Sequence, residues 1–287
     1  MQRKLGILAG GGRLPALVIE SCQKSGRDYY VIAFKEQADP DIVINSPHSW
    51  VRLGAASESL SILKDQNVLD LVMAGHIHRP SMTQIYPDLL TAKFLARTGI
   101  LALGDDGLLS AIIKTLETEY GFHIVSPDSV APDLLSEEGV LSTRVPSAED
   151  EVDILAAAKA AFELGKQDKG QAAIAYNDTV LGLEDAKGTD ALLNRIAASR
   201  GENFPGVVRG GSLGGVLAKV AKPQQELRID LPTIGPKTLE GAARAGLNGI
   251  VIEAGRSLII DKQAVSTLAD ELGLFIIAIN VDEAFNE

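Results

Sequence analysis

Apolar and polar positions fall into two rhythms along this chain. Residues 4–9 (KLGILA) and 29–34 (YYVIAF) are short, nearly continuous apolar runs, the mark of strands buried on both faces of a parallel sheet. Between them Leu14, Leu17, Val18 and Cys22 recur at helical spacing, with Pro15 in the first turn and Gly26 past the last. A βαβ unit follows from that order. Next, Ser57 is placed to cap a helix reaching Asn67, and residues 69–74 (LDLVMA) form another strand. Residues 100–103 read as a short strand, and Leu108, Leu109, Ile112, Ile113 and Leu116 make the apolar face of the helix after it, with Asp105 or Asp106 as N-cap. Residues 122–125 complete this first sheet.

The periodicity breaks between Pro127 and Glu151, at Pro132, Gly139, Pro146 and the acidic run Glu149, Asp150, Glu151. Ser147 and Asp150 have capping-box spacing and open an alanine-rich helix through Leu164, ended by Gly165, which reads as a connector between domains. Residues 172–176 and 180–183 are strands around an Asn177-Asp178 turn, and Gly188-Thr189-Asp190 opens a helix carrying Leu192, Leu193 and Ile196. From Gln224 to Leu231 polar and apolar residues alternate, which predicts an extended strand with Gln224, Glu226, Arg228 and Asp230 on one face and Leu227, Ile229 and Leu231 on the other. On such a strand the Arg228 and Asp230 Cα atoms would lie about 6.5 Å apart. The remainder reads as a helix over 237–245, a turn at Asn248-Gly249, strands over 250–253 and 258–260, an Asp261-capped helix and a strand over 274–279. The fold class is α/β: an N-terminal Rossmann-like parallel-sheet domain, residues 1–147, and a second α/β domain with a mixed sheet, residues 148–287.

Composition narrows the function. With 46% apolar and 23% charged residues among 287, the chain can bury a large core. A net charge of −11 opposes a nucleic-acid surface, so nucleic acid is not an expected partner and phosphate recognition must be local. The single cysteine, Cys22, lies on an apolar helical stripe and fits a reducing compartment. No uncharged apolar run approaches the roughly 18 residues of a membrane span, and the chain enters a strand directly rather than a signal segment. A cytoplasmic protein is expected, handling any lipid at a membrane surface.

Candidate chemistry gathers at strand ends. The Gly10-Gly11-Gly12 turn precedes a helix, where free N–H groups attract anions. Pro15 stands where a dinucleotide fingerprint would have its third glycine, which disfavours a nicotinamide oxidoreductase. Gly75-His76-Ile77-His78-Arg79 leaves another strand at the same edge, so both loops are expected to face one crevice. His76 and His78 lack a third ligand nearby, so hydrogen bonding is favoured over zinc. In the second half Lys219, Lys222 and Arg228 offer cations beside the carboxylates of Glu226 and Asp230.

Assembled, KLGILAGGGRLP (4–15), AGHIHRP (74–80), GDDGLL (104–109), GTDALLNR (188–195), VLAKVAKPQQELRIDLPTIG (216–235) and AGLNGIVIEAG (245–255) resemble the LpxI-type family of UDP-2,3-diacylglucosamine pyrophosphatases, in order across almost the whole chain. At AGHIHRP the family more often carries asparagine after the glycine. The resemblance implies cleavage of UDP-2,3-diacylglucosamine to UMP and 2,3-diacylglucosamine 1-phosphate for lipid A synthesis. It further implies Mg²⁺ or another divalent cation, substrate held between the domains, and water attacking the lipid-side phosphorus. Asp230 is then the catalytic carboxylate and a metal ligand, with Glu226 as second ligand and Glu253 as another candidate helper. Gly11, Gly12, Gly75, His76 and Arg79 from the first domain, and Gly188, Thr189, Asp190, Lys219, Lys222, Gln225 and Arg228 from the second, are the substrate-binding set. Partners implied are the substrate, the inner membrane surface by peripheral contact, and a second copy of the chain if a homodimer forms. The rival reading from another class is a non-catalytic nucleotide-sugar sensor.

Overall fold

Strand β1 (Leu5–Ala9) buries Leu5, Ile7 and Ala9 completely and sits at the centre of a five-stranded parallel sheet. The computed structural model describes residues 2–78, 86–98, 105–203 and 213–285, and these belong to two units, Met1–Pro132 and Asp133–Glu287. In the first, β2 (Tyr29–Phe34), β3 (His48–Val51), β4 (Asp70–Ala74) and β5 (His123–Ile124) complete the order β3-β2-β1-β4-β5. Helix α1 (Leu14–Ser25) starts with proline in its first turn and ends at Gly26 in the left-handed region, φ 68°. Its Val18, Ile19 and Cys22 pack on Ile7, Ala9, Val31 and Val72.

Helices α2 (Pro40–Val43), α3 (Ala56–Asp65), α4 (Leu89–Thr98), α5 (Asp105–Tyr120) and α6 (Pro127–Val130) complete the unit. Two expectations change here. β3, absent from the sequence reading, adds an edge strand next to β2. Ser57 does not cap α3: its own N–H donates to Asp88 Oδ2 at 2.7 Å, so the cap comes from a side chain 31 residues away. The strand expected at 100–103, Gly104, Arg79 and the side chains of Asp105 and Asp106 lie outside the described residues.

The second unit carries a mixed six-stranded sheet ordered β6-β13-β11-β9-β7-β8. These strands are β6 (Gly139–Val140), β7 (Ala172–Tyr176), β8 (Thr179–Leu183), β9 (Val216–Lys219), β11 (Gly249–Glu253) and β13 (Phe275–Ile279). A short pair, β10 (Thr233–Ile234) and β12 (Leu258–Ile259), stands apart. β9, β11 and β13 run parallel, whereas β7 opposes both β9 and β8. Asn177 and Asp178, at φ 48° and 59°, make the tight turn between β7 and β8.

One face of this sheet is covered by helix α7 (Ala148–Lys166), the other by α8 (Gly188–Asn203), α9 (Pro236–Arg244) and α10 (Lys262–Leu272). The Ser147–Asp150 capping box is present. The alanine-rich α7, expected to connect domains, packs as a layer of the second unit: Ala157, Ala158 and Ala161 are completely buried against β7 and β9. Gly165 lies inside this helix, and a Cβ there would come within 3.3 Å of Lys222 Cα. The missing side chain lets the chain after β9 approach α7 closely. Asp261 precedes α10 in the left-handed region, φ 54°, without capping it through its side chain. A short helix, α11 (Val281–Ala284), is capped by Asn280. Among the described residues no helix is long and apolar enough to cross a membrane.

Candidate active site

Strand direction decides what meets at one edge of the second sheet. β8, β9 and β11 all end there, and β7 begins there because it runs the opposite way. Gln171, Glu184, Lys219 and Glu253 are therefore neighbours at this edge, although up to 82 positions separate them. Pairing of Ala172 with Lys219, and donation from Glu184 N–H to the Ala172 carbonyl at 2.9 Å, fix the register.

Lys219 lies on the same side of β9 as Leu217, the side covered by α8 and α9. Lys219 is partly buried, and its Nζ donates to the Thr233 carbonyl at 3.0 Å. Desolvation pulls its pKa below the ordinary lysine value, while Glu184, Asp230 and Asp190 oppose that shift by favouring the charged form. Burial and the three carboxylates therefore act on the Lys219 ammonium in opposite directions.

Glu184, which sequence reasoning missed, is 9% exposed. Its Oε1 accepts the Thr189 hydroxyl at 2.6 Å and its Oε2 accepts the Gln171 N–H at 2.7 Å. Thr189 therefore spends its proton within the protein, and Gly188, at φ 82°, turns the chain so that α8 begins beside it. Asp190 is exposed in the first turn of α8.

The stretch after β9 departs from expectation. Residues 224–231 are not an extended strand but two consecutive turns: Gln225 N–H donates to the Lys222 carbonyl at 3.0 Å, and Ile229 and Asp230 N–H both donate to the Glu226 carbonyl, at 3.0 and 3.1 Å. Leu227, Ile229 and Leu231 are only partly buried, whereas Gln225 is 8% exposed. The alternation does not survive because this segment leaves the sheet edge and finds no partner strand to make a pleat worthwhile. A carboxylate holds the start of the segment: Glu253 Oε2 accepts the Ala221 N–H at 2.8 Å, and its Oε1 meets Arg256 at 3.2 Å.

Turning gives each charged side chain a local partner. Arg228 donates to both oxygens of Glu226, at 2.9 and 2.8 Å, and these bonds hold the Glu226 pKa below the usual carboxylate range. Lys222 donates to Asp168 Oδ1 at 2.8 Å. Asp230 is partly buried; its Oδ2 accepts Gln225 Nε2 at 2.6 Å, and its Oδ1 takes no hydrogen bond among the described residues. Of the two carboxylates read as metal ligands, Asp230 has an oxygen to offer, whereas Glu226 has both committed to Arg228. Among the described residues no three metal-binding side chains cluster into a protein-only cage. One carboxylate oxygen suits Mg²⁺, which keeps several waters and completes its shell with substrate phosphate.

In the first unit the two glycine-bearing loops are zipped together. Gly11 and His76 exchange both backbone hydrogen bonds, at 2.9 and 3.1 Å, and Gly10 N–H donates to the Ala74 carbonyl. Gly75 sits at φ 90°, where an added Cβ would be 2.5 Å from the Gly11 oxygen. The His76 ring lies over Gly11 and Gly12 and meets His78 edge-on, centroids 4.7 Å apart. The anion-binding N–H groups expected at this turn are already engaged: Gly11 by His76, Gly12 by Asp39 Oδ2 at 3.3 Å.

A parallel α/β unit, then a mixed-sheet α/β unit with an amine and carboxylates at one sheet edge, define a two-unit α/β protein with a charged, amide-braced site. Residues 4–134 match the LpxI N-terminal domain and residues 137–277 the LpxI C-terminal domain, so the chain belongs to the LpxI family. The UDP-2,3-diacylglucosamine pyrophosphatase LpxI of Caulobacter vibrioides is 38% identical over 284 residues, covering 98% of this chain and 99% of that protein. A solved carboxyaminoimidazole ribonucleotide synthase from Aspergillus clavatus, complexed with ATP, aligns over 61% of this chain and 38% of its own at 14% identity. The TM-score of that alignment is 0.23.

Proposed function

We propose that this chain hydrolyses the pyrophosphate bond of UDP-2,3-diacylglucosamine, releasing UMP and 2,3-diacylglucosamine 1-phosphate in lipid A synthesis. The observation that carries this is end-to-end similarity to a protein named for that activity. The chemistry asks for a positive environment around two phosphates and a carboxylate that holds an attacking water or a metal. Water adds to the lipid-side phosphorus, the bond from that phosphorus to the bridging oxygen breaks, and UMP departs with that oxygen while the water's protons pass to solvent.

Asp230 is the residue assigned to the water and, through Oδ1, to a divalent cation. Bound Mg²⁺ supplies charge neutralisation at the phosphate oxygens. Lys219 is the candidate cation on the sheet side of Asp230, its charged form favoured by Glu184, Asp230 and Asp190 against the cost of burial. Lys222 and Arg228 reach phosphate by exchanging Asp168 and Glu226 for it, which ties release of these internal pairs to arrival of the substrate. Thr189 and Asp190, at the start of α8, flank the same edge; in the first unit Gly12, Gly75 and His76 are the candidates for nucleotide contact, and Gly12 N–H would have to leave Asp39 to meet a phosphate. A substrate that joins a nucleotide to acyl chains fits an enzyme working in the cytoplasm in peripheral contact with the inner membrane.

The test is incubation of purified protein with UDP-2,3-diacylglucosamine and Mg²⁺ in ¹⁸O-water. UMP should appear, with the label in the sugar 1-phosphate. Intact substrate with Mg²⁺ and with Mn²⁺ would overturn the activity. Label in UMP would overturn only the site of attack, and full turnover in excess EDTA only the metal.

A further inference from the structure

The family resemblance puts Gln225 among the substrate-binding residues, yet its carboxamide is used up inside the protein. Only 8% of the residue is exposed. Oε1 accepts the Lys222 N–H at 3.0 Å. A backbone N–H can only donate, so this contact fixes which end of the amide is oxygen. Nε2 must then face the other way, where it donates to Asp230 Oδ2 at 2.6 Å and lies 3.4 Å from Gln171 Oε1. The amide thus joins the two turns of the segment, with Lys222 in the first and Asp230 at the end of the second.

We propose that Gln225 is a positioning residue for the Asp230 carboxylate and not a ligand of the substrate. It holds Oδ2 as the inward oxygen, so Oδ1 is presented outward in one orientation. A carboxylate on a partly buried turn would otherwise sample several rotamers. Gln171 supports the arrangement from the start of β7: its own N–H is held by Glu184, its carbonyl accepts the Val220 N–H at 3.1 Å, and its side-chain oxygen faces Gln225. The site is braced from the sheet edge outward. This inference rests on the reading of Asp230 as the catalytic carboxylate.

The experiment uses the full chain with Gln225→Met, which keeps the side-chain length and removes both polar ends, alone and combined with Asp230→Ala. Misplacing a catalytic group by about 1 Å costs roughly 100-fold, so the single variant should lose about 10- to 100-fold in kcat while KM stays within about twofold. In the Asp230→Ala background there is no carboxylate left to orient. Adding Gln225→Met should then change neither residual turnover nor substrate affinity measured by calorimetry. A raised KM with kcat kept, an unchanged kcat, or a further loss of turnover or affinity in the Asp230→Ala background would each overturn the proposal. Should the methionine variant fail to fold, as its melting curve would reveal, Gln225→Asn takes its place with the same criteria. Failure of the underlying reading looks different: Asp230→Ala itself would then retain wild-type turnover.

Discussion

Glu253, the last residue of β11, accepts the Ala221 N–H through Oε2 at 2.8 Å and so ties the end of one strand to the first turn after its neighbour. Glu253, a candidate helper of Asp230 in the sequence, thus anchors the segment that carries Asp230. Glu253→Ala leaves the Ala221 N–H buried without a partner, a loss of about 1–3 kcal/mol. Glu253→Gln keeps an acceptor and should recover most of that stability. Denaturant unfolding of the full chain checks this, and equal stability of the two variants would contradict the anchor.

Asp88 starts two helices at once: Oδ1 accepts the Thr91 N–H at 2.8 Å at the start of α4, and Oδ2 serves Ser57 in α3. Asp88→Ala should cost roughly 1–2 kcal/mol. Burial pushes the Asp88 pKa up, but the hydrogen bonds from Thr91 and Ser57 outweigh it and hold the carboxyl below the ordinary aspartate value. A depressed folded-state pKa gives stability that is full above the unfolded value, about 3.9, and lost as pH falls through the folded one. The stability gap between wild type and variant should therefore be constant from pH 7 to pH 5 and shrink in more acid solution. A gap that widens toward pH 3 would refute this cap.

Two glycines with similar backbone demands separate strain from crowding. Gly75 and Gly26 both have positive φ, 90° and 68°, but a Cβ at Gly75 would meet the Gly11 oxygen at 2.5 Å, whereas one at Gly26 meets nothing within 4 Å. Gly26→Ala should cost about 1 kcal/mol, and Gly75→Ala clearly more, because the zipped loops must part as well. Melting temperatures of the two variants decide it; equal shifts would mean the loops yield without cost.

What the sequence disclosed depended on how local the cause was. Strands β1, β2, β4 and β5, the Ser147 capping box and the Asn177-Asp178 turn were legible because each is set by residues within a few positions, whereas the edge strand β3 was not. Ser57 misled because its helix is capped from Asp88, and no local pattern encodes that. The segment 224–231 misled more deeply: strict alternation marks a strand only where a partner exists, and here Leu227, Ile229 and Leu231 stay partly exposed while Gln225 turns inward. Asp230, Lys219 and Thr189 could be named from the motif. Glu184 could not, since its importance comes from register, which sets the end of β8 beside the start of β7 and the end of β9. Its one signal was a carboxylate directly after an apolar strand, five residues before Thr189.

The most direct test of the catalytic account is Asp230→Ala in the full chain, with melting temperature, substrate affinity and turnover of UDP-2,3-diacylglucosamine measured together. Asp230 lies on a turn and only partly buried, so its removal opens no apolar cavity and the fold should persist. Binding should be largely kept, and kcat should fall by at least about 100-fold, because an interaction that develops in the transition state has been lost. A folded variant with near-normal turnover would contradict the account.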